Sequence, residues 1–499
     1  MPALHESPLN LVQIERNFRE IAPPLTRAEA IFESNRCVYC YDAPCTRACP
    51  THIDVPAFIK KIASDNLLGS ARVIFDANPI GATCARVCPV DVLCEGACVE
   101  KTLMDKPIEI GRLQRYATDY AINNGREIFR PSVSNGKSVG IIGAGPAGLS
   151  CAAYLARHGY AVTIYDRRAL PGGLDTYGMA EYKMSQVVSV DEARMVERLG
   201  VAFKLDSEVG RDISLEELQS QYDAIFLATG LGATARLSVP GESLPGVYDA
   251  LDFIERIKTR DWKSVPLGRT IAVVGAGNTA VDAVTQAKRL GAERVLMIYR
   301  RSEREMPAYK YEYELAKKDA IEFCWQTAPI EIMANADNSG VAALRCVRME
   351  LGAPDASGRR AAQPVAGSEF DIPCDMVIKA LGQEKMRSFF EKIPGLELDA
   401  AGRIVVNTET MQTTNPKFFA GGDCVNGGRE AVDAAQAGKL AAQGIHGELM
   451  GERIELAGAR LPFIEKIHGE MPSPVPAAYD SPATPAESLG VKSYGGTER

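Results

Sequence analysis

The sequence predicts an α/β protein, a helical N-terminal segment followed by two Rossmann-like dinucleotide-binding folds. Three observations carry that expectation. Between residue 1 and about 130, LTRAEAIFESNR, VPAFIKKIASDN and IGRLQRYATDYAINN place apolar residues at three-to-four spacing, the period of helices. From residue 138, SVGIIG reads as a strand, AGLSCAAYLARHG as a helix and AVTIYD as the next strand. The same succession restarts at Thr270 with TIAVVG, TAVDAVTQAKRLG and RVLMIYR.

The chain has 499 residues, enough for two to four domains that each bury a core. A hydrophobic fraction of 46% and a charged fraction of 24% are those of an ordinary soluble globular protein. The net charge of −8 argues against nucleic acid as a partner, because phosphate binding needs a basic field. The most apolar stretch, Val139 to Ala156, is broken by four glycines and a proline, so it reads as strand, turn and helix and no membrane span is expected. The N-terminus, MPALHESPLN, lacks a charged-then-apolar export signal, and a cytoplasmic location is expected.

The internal repeat holds in detail. Gly143, Gly145 and Gly148 answer to Gly275, Gly277 and Ala280, and IYDRR (164–168) answers to IYRRS (298–302). Each copy closes on a similar strand, DAIFLATG (223–230) and DMVIKALG (375–382). Two such halves imply two bound dinucleotides.

In the first copy, GAGPAG (Gly143, Gly145, Pro146, Ala147, Gly148) follows a strand and opens a helix. Glycines there permit the tight turn and let the backbone approach a pyrophosphate, whose charge meets the helix N-terminus. Such a turn can also be purely structural, but Asp166 stands 23 residues after Gly143 at the end of the second strand, placed to accept ribose hydroxyls. The second copy has Arg300 and then Arg301 at that place. An arginine suits a 2′-phosphate, so the first site reads as FAD and the second as NADP(H). A solvated basic strand end is the alternative for the arginines, and NAD(H) stays open.

Eight of the thirteen cysteines crowd into Cys37-x2-Cys40-x4-Cys45-x3-Cys49-Pro50 and Cys84-x3-Cys88-x5-Cys94-x3-Cys98. In a long chain without an export signal, thiolate ligands to metal are the better reading than disulfides. Zinc also takes four thiolates, but it carries no electron, and a flavin next door favours iron–sulfur clusters. Cys151 and Cys424 are isolated, with no CxxC beside the flavin, so a dithiol reductase is disfavoured and the electrons need another exit.

FFAGGDCVNGGREAVDAAQAGKLAA (418–442) resembles the segment that returns the chain to the FAD domain in two-dinucleotide, disulfide-reductase-like flavoproteins. That resemblance implies that Gly422 and Asp423 meet the ribityl–phosphate region and that a helix beginning at Ala431 and Val432 points at the isoalloxazine. It also implies that the second dinucleotide domain is inserted in the first. The expected organisation is a helical bis-4Fe-4S domain (1–130), an FAD domain in two parts (131–265 and 381–455), an NAD(P) domain (266–380) and a Pro/Ala/Ser-rich extended arm (456–499).

CVYCYDAPCTRACP, ANPIGATCARVCPVDVLCEGAC and PIEIGRLQRYA resemble the N-terminal portion of dihydropyrimidine dehydrogenase, and the resemblance runs to about residue 455. It implies one 4Fe-4S cluster on Cys37, Cys40, Cys45 and Cys98, and another on Cys49, Cys88, Cys94 and, unusually, Gln114, with Cys84 a spare thiol. It further assigns Val87, Gly173, Leu174, Lys183 and Val209, with Ala228, Thr229 and Gly230, to the flavin site. Asn278, Thr279, Ala380, Leu381 and Gly382 complete the nicotinamide site on the same basis. The sequence ends without an FMN barrel, so the expected likeness is to the flavoprotein subunit of the bacterial two-subunit enzyme. Hydride would pass from NAD(P)H, with NADPH favoured, to FAD, and electrons would leave through the clusters. A partner subunit carrying FMN and further clusters, in a hetero-oligomer such as a heterotetramer, would reduce uracil or thymine. The chain is similar also to the glutamate synthase small subunit, whose cysteine spacing looks much the same.

Overall fold

The computed structural model describes residues 6–354, 360–452 and 454. The extended arm expected at 456–499 lies outside the described residues.

The cysteine-bearing region is helical, as its apolar spacing predicts. Helix Val55–Ala63 buries Val55, Phe58, Ile59 and Ile62 along one face, and Asp54 caps it by accepting from the Ala57 N–H. That face packs with Ile74 of helix Leu67–Ala77 and Leu113 of helix Ile110–Asn123 into a small core. Six of the eight clustered cysteines lie on turns and helix ends around it, and Cys45 and Cys84 lie within the short helices Pro44–Ala48 and Gly81–Val87.

The strands follow in order. β1 (Ser138–Ile142), β2 (Ala161–Tyr165), β3 (Ala202–Lys204) and β4 (Ala224–Leu227) come from the first copy of the repeat. β5 (Val247–Asp249), β6 (Thr270–Val274), β7 (Arg294–Ile298) and β8 (Glu322–Cys324) follow. β9 (Thr327–Ala334), β10 (Val341–Pro354), β11 (Arg360–Pro364) and β12 (Phe370–Pro373) then form an antiparallel ribbon. β13 (Met376–Lys379) and β14 (Phe418–Ala420) close the list of described strands. Two parallel sheets result, ordered β14-β4-β1-β2-β3 and β5-β13-β6-β7-β8. Their registers correspond, with Ile142 opposite Tyr165 in the first and Val274 opposite Ile298 in the second. The Gly-rich turn and the residue at the end of the second strand therefore emerge side by side at the C-terminal edge of each sheet, where open α/β sheets bind ligands.

The α/β class is as the sequence predicts, a helical domain ahead of two Rossmann-type folds. Three details differ. β5 pairs with β13, so the second fold takes up chain from before the expected boundary at 266. The ribbon β9–β12 was not anticipated; many of its residues are exposed, which blurs the alternation that marks a half-buried strand. Third, helix Leu11–Asn17 does not join the cysteine domain. Its Ile14, with Phe18, is buried in the core of the second fold, where Phe18 stacks on Trp262 at 5.1 Å. No helix among the described residues is long and apolar enough to cross a membrane.

Candidate redox-cofactor sites

The eight clustered cysteines divide into two rings. Cys37, Cys40, Cys45 and Cys98 line one cavity of about 350 Å³. Cys49, Cys88 and Cys94 line a second of about 350 Å³, together with Cys84 and Gln114. Helix Pro44–Ala48 makes the division: Cys45 lies within it and faces one cavity, while Cys49, its C-cap, faces the other. Among the described residues no three His, Cys, Asp or Glu side chains converge as they would on a single ion. The thiols stand around a volume, as a four-iron cube needs.

Burial pushes the Cys45 thiol up to about 12 and raises Cys94 well above the usual thiol range, so these groups become ligands when a metal displaces their protons. In Cys88 the neighbouring Cys84 is the larger cause, ahead of burial. Gln114 is buried, and its Nε2 donates to the Gly81 carbonyl at 2.7 Å, which leaves Oε1 as the ligating atom on offer. Val87 is half-buried beside Cys88 at the end of helix Gly81–Val87.

The first dinucleotide turn has the form the sequence predicts. Gly143 has φ +111, and a Cβ there would lie 2.3 Å from the Ala228 carbonyl oxygen. Gly145 is different. It has ordinary φ, and a Cβ would meet only Gly173 Cα, at 3.8 Å, so the protein itself leaves that space free. The Asp166 carboxylate accepts from the backbone N–H of Ala144 at 2.7 Å and of Arg168 at 2.9 Å, which fixes it at the mouth of the turn. Asp166, Gly143, Val209 and Thr229 line one cavity of about 1050 Å³ that is open to solvent. Met386, Phe389 and Lys392 line it too, and sequence reasoning missed them because they come from a distant, non-repetitive segment. Pro146, Ala147 and Gly148 begin the helix behind the turn, Gly230 lies in the loop after β4, and Leu174 follows Gly173, 38% exposed. Asp423 is raised by burial and accepts from the Arg429 N–H at 3.2 Å, next to Gly422. Ala431 opens helix Ala431–Met450, and Val432 lies in the wall of the second thiol cavity.

The second turn repeats the first. Gly275 has φ +137 with the Ala380 carbonyl 2.2 Å from a Cβ position, while a Cβ on Gly277 or Gly382 would meet nothing within 4 Å. Thr279 and Ala280 continue the helix, and Leu381 packs toward the ribbon. Asn278 accepts the Tyr309 N–H at 3.1 Å. Just after β7, Arg300 is exposed and Arg301 is half-buried, with a buried Nε–H that has no hydrogen-bond partner among the described residues. Arg300 sits where the first copy places its carboxylate, and Arg301 answers to Arg167.

Lys183 has partners that the sequence did not predict. Its Nζ lies 2.6 Å from Asp282 Oδ1 and 2.6 Å from Glu312 Oε1, both carboxylates of the second fold. Burial alone would lower this ammonium, but the two carboxylates outweigh it and hold Lys183 above the usual lysine value. Two of its three donors are committed there, so it ties the first fold to the second.

Comparison with known proteins agrees with this geometry. Residues 14–126 match the family described as dihydropyrimidine dehydrogenase domain II, 4Fe-4S cluster, and residues 137–438 match pyridine nucleotide-disulphide oxidoreductase. The chain is 38% identical over 458 residues to the glutamate synthase [NADPH] small chain of Escherichia coli, covering 88% of this chain and 95% of that one. It is 37% identical over 414 residues to the NADPH-Fe(3+) oxidoreductase subunit beta of Geobacter sulfurreducens, covering 77% of this chain and 60% of that one. Among solved structures it shares a fold with Mycobacterium tuberculosis FprA in complex with NADPH, at TM-score 0.51 and 19% identity over 66% of this chain and 90% of that one.

Proposed function

The chain belongs to the pyridine nucleotide-disulphide oxidoreductase family, and from that premise we propose that it is the NADPH-oxidising, electron-input subunit of a larger reductase. The two dinucleotide folds would hold a nicotinamide and an FAD, supplying hydride transfer, and the two thiol rings would hold 4Fe-4S clusters, supplying single-electron conduction. The protein's part is placement and insulation. Gly145 and Gly277 leave space where two pyrophosphates would lie, and Asp166 and Arg300 would hold the two riboses at their differing ends.

The observation that carries this reading is the arrangement of the two thiol rings. The ring with Gln114 has Val432, from the helix that starts over the flavin fold, in its wall. The other ring has Val38, 54% exposed, in its wall. One ring thus faces the flavin fold and the other faces outward, which suits entry and exit.

The partner in this proposal is an FMN and iron–sulfur subunit that reduces uracil or thymine to the 5,6-dihydropyrimidine. Two points support it: the match of residues 14–126 to the dihydropyrimidine dehydrogenase cluster domain, and Gln114 in the second ring. The 38% identity to the glutamate synthase small chain favours a second reading, electron input to a glutamate-forming subunit. Reconstitution decides. The purified chain is mixed with a pyrimidine-reducing FMN subunit or with a glutamate synthase large subunit, and NADPH oxidation dependent on uracil, or on glutamine and 2-oxoglutarate, is followed. Uracil-dependent turnover is expected; glutamate formation with none on uracil would establish the second reading.

A further inference from the structure

Glu192 lies on helix Gln186–Glu197 of the flavin fold, yet its carboxylate serves the cysteine domain. It is 1% exposed and accepts from the Ala82 N–H at 2.6 Å, the Thr83 N–H at 3.2 Å and the Thr83 hydroxyl. Those groups open helix Gly81–Val87, whose own N-cap, Ile80, offers no side-chain hydrogen bond. The helix therefore has its first N–H groups satisfied by a carboxylate from another fold.

Two of the four groups assigned to the second ring depend on this short helix. Cys88 is its C-cap. Gly81, its first residue, provides the carbonyl that holds the Gln114 amide at 2.7 Å. A displacement of the helix start moves both at once. No other carboxylate is hydrogen-bonded to these N–H groups among the described residues.

We propose that Glu192 is a positioning residue for the iron–sulfur cluster of the second ring: it sets the geometry of Cys88 and Gln114 from the flavin fold, and its negative charge holds that cluster's reduction potential down. The proposal rests on the reading that the ring holds a cluster. A buried negative charge beside a redox centre opposes the arrival of an electron, because little solvent screens it. Burial pushes the Glu192 carboxyl up to about 7, so its charge is best measured at pH 8.5.

The test uses the full chain, prepared anaerobically, in wild type, Glu192→Gln and Thr83→Val forms. Iron, acid-labile sulfide and FAD are counted, and each cluster is followed by electron paramagnetic resonance during a reductive titration at pH 8.5. Glu192→Gln is expected to keep its iron while one of the two cluster signals changes and titrates at a less negative potential, the other staying put. Thr83→Val removes one donor and keeps the charge, so it is expected to alter the same signal with a smaller shift in potential. Both signals unmoved in Glu192→Gln, or both moved equally, overturns the proposal. Should Glu192→Gln lose its fold, an unaltered spectrum in Thr83→Val overturns it instead. Absence of iron and sulfide from the wild type would refute the cluster reading itself, a separate result.

Discussion

The Tyr309 hydroxyl donates to Glu430 Oε1 at 2.5 Å, while the Tyr309 N–H reaches Asn278 Oδ1 at 3.1 Å. One residue thus links the second nucleotide turn to the N-cap of helix Ala431–Met450. Removing the hydroxyl in Tyr309→Phe is expected to leave FAD and iron in place and to loosen the register of the two folds. A hydrogen bond to a carboxylate contributes about 1.5 kcal/mol, or roughly tenfold. Rapid-mixing measurements of flavin reduction by NADPH should show a slowing of up to that size, and an unchanged rate would make the link decorative.

Ligand substitutions separate the two rings. Cys45→Ser and Cys88→Ser are each expected to lose one cluster and retain the other, taking iron from near eight to near four per chain. Cys84→Ser is the sharper experiment, because Cys84 lines the second cavity beside Gln114. Its iron content is expected to be unchanged; loss of a cluster would put Cys84 in place of Gln114.

The glycines sort by what a methyl group would strike. Gly143→Ala and Gly275→Ala drive a carbon onto a carbonyl oxygen in a left-handed turn, and both should lower stability and expression. Gly145→Ala and Gly277→Ala meet no protein atom closer than 3.8 Å, so both should fold. Gly145→Ala is then expected to copurify with less FAD, and Gly277→Ala to keep its FAD and lose affinity for NADPH. Absorbance of the bound flavin and a nucleotide titration give the two answers.

A phosphate paired by arginine is worth about 1.5–3 kcal/mol, roughly 10- to 150-fold in affinity. The unpartnered Arg301 Nε–H and the exposed Arg300 are free to form that pair. Dye reduction should therefore favour NADPH over NADH, and Arg300→Ala should shrink the ratio. Equal efficiency with both nucleotides, unaltered by the substitution, would leave the arginines as solvated surface.

His446 packs against Tyr160, whose hydroxyl lies 3.0 Å from Nδ1, and burial holds its pKa below the usual histidine value, helped by His158. At pH 7.5 the ring is neutral in both folded and unfolded chains. As pH falls below 6.5, and then through the depressed value, the unfolded chain takes a proton that the fold resists, so stability declines. The loss of urea resistance between pH 7.5 and pH 5.5 should be smaller in His446→Gln than in wild type.

The sequence made most of the cofactor geometry legible because it repeats itself. Matching Gly143 to Gly275 and Ala228 to Ala380 needs only alignment of the chain with itself, and each pair proves to be one glycine under one carbonyl. The allocation of thiols came from resemblance; the two cavities group the same cysteines, with Cys84 beside Gln114 in the second, and the division falls where the chain leaves helix Pro44–Ala48 in an extended conformation at Cys49. What stayed hidden depends on contacts between distant segments. Nothing local shows that Lys183 pairs with Asp282 and Glu312, far along the chain. Glu192 reads as one more acidic residue on an amphipathic helix, and its three donors come from a turn about a hundred positions earlier.

The first helix has a mechanical consequence. Ile14 and Phe18 are seated in the second fold, the Asn17 Nδ2 and the Arg289 guanidinium exchange hydrogen bonds with each other's carbonyls, and Lys263 Nζ holds the Ser7 carbonyl at 2.7 Å. The first described helix therefore sits on the nicotinamide fold, the chain then builds the cysteine and flavin regions, and at β5 and β6 it returns to the fold on which that helix is seated. Such a closed circuit behaves like a door hung on both jambs. The Phe18–Trp262 stack, at 5.1 Å, is part of that hinge-side fastening, so the segment leading into the cysteine domain departs from the surface of the nucleotide fold.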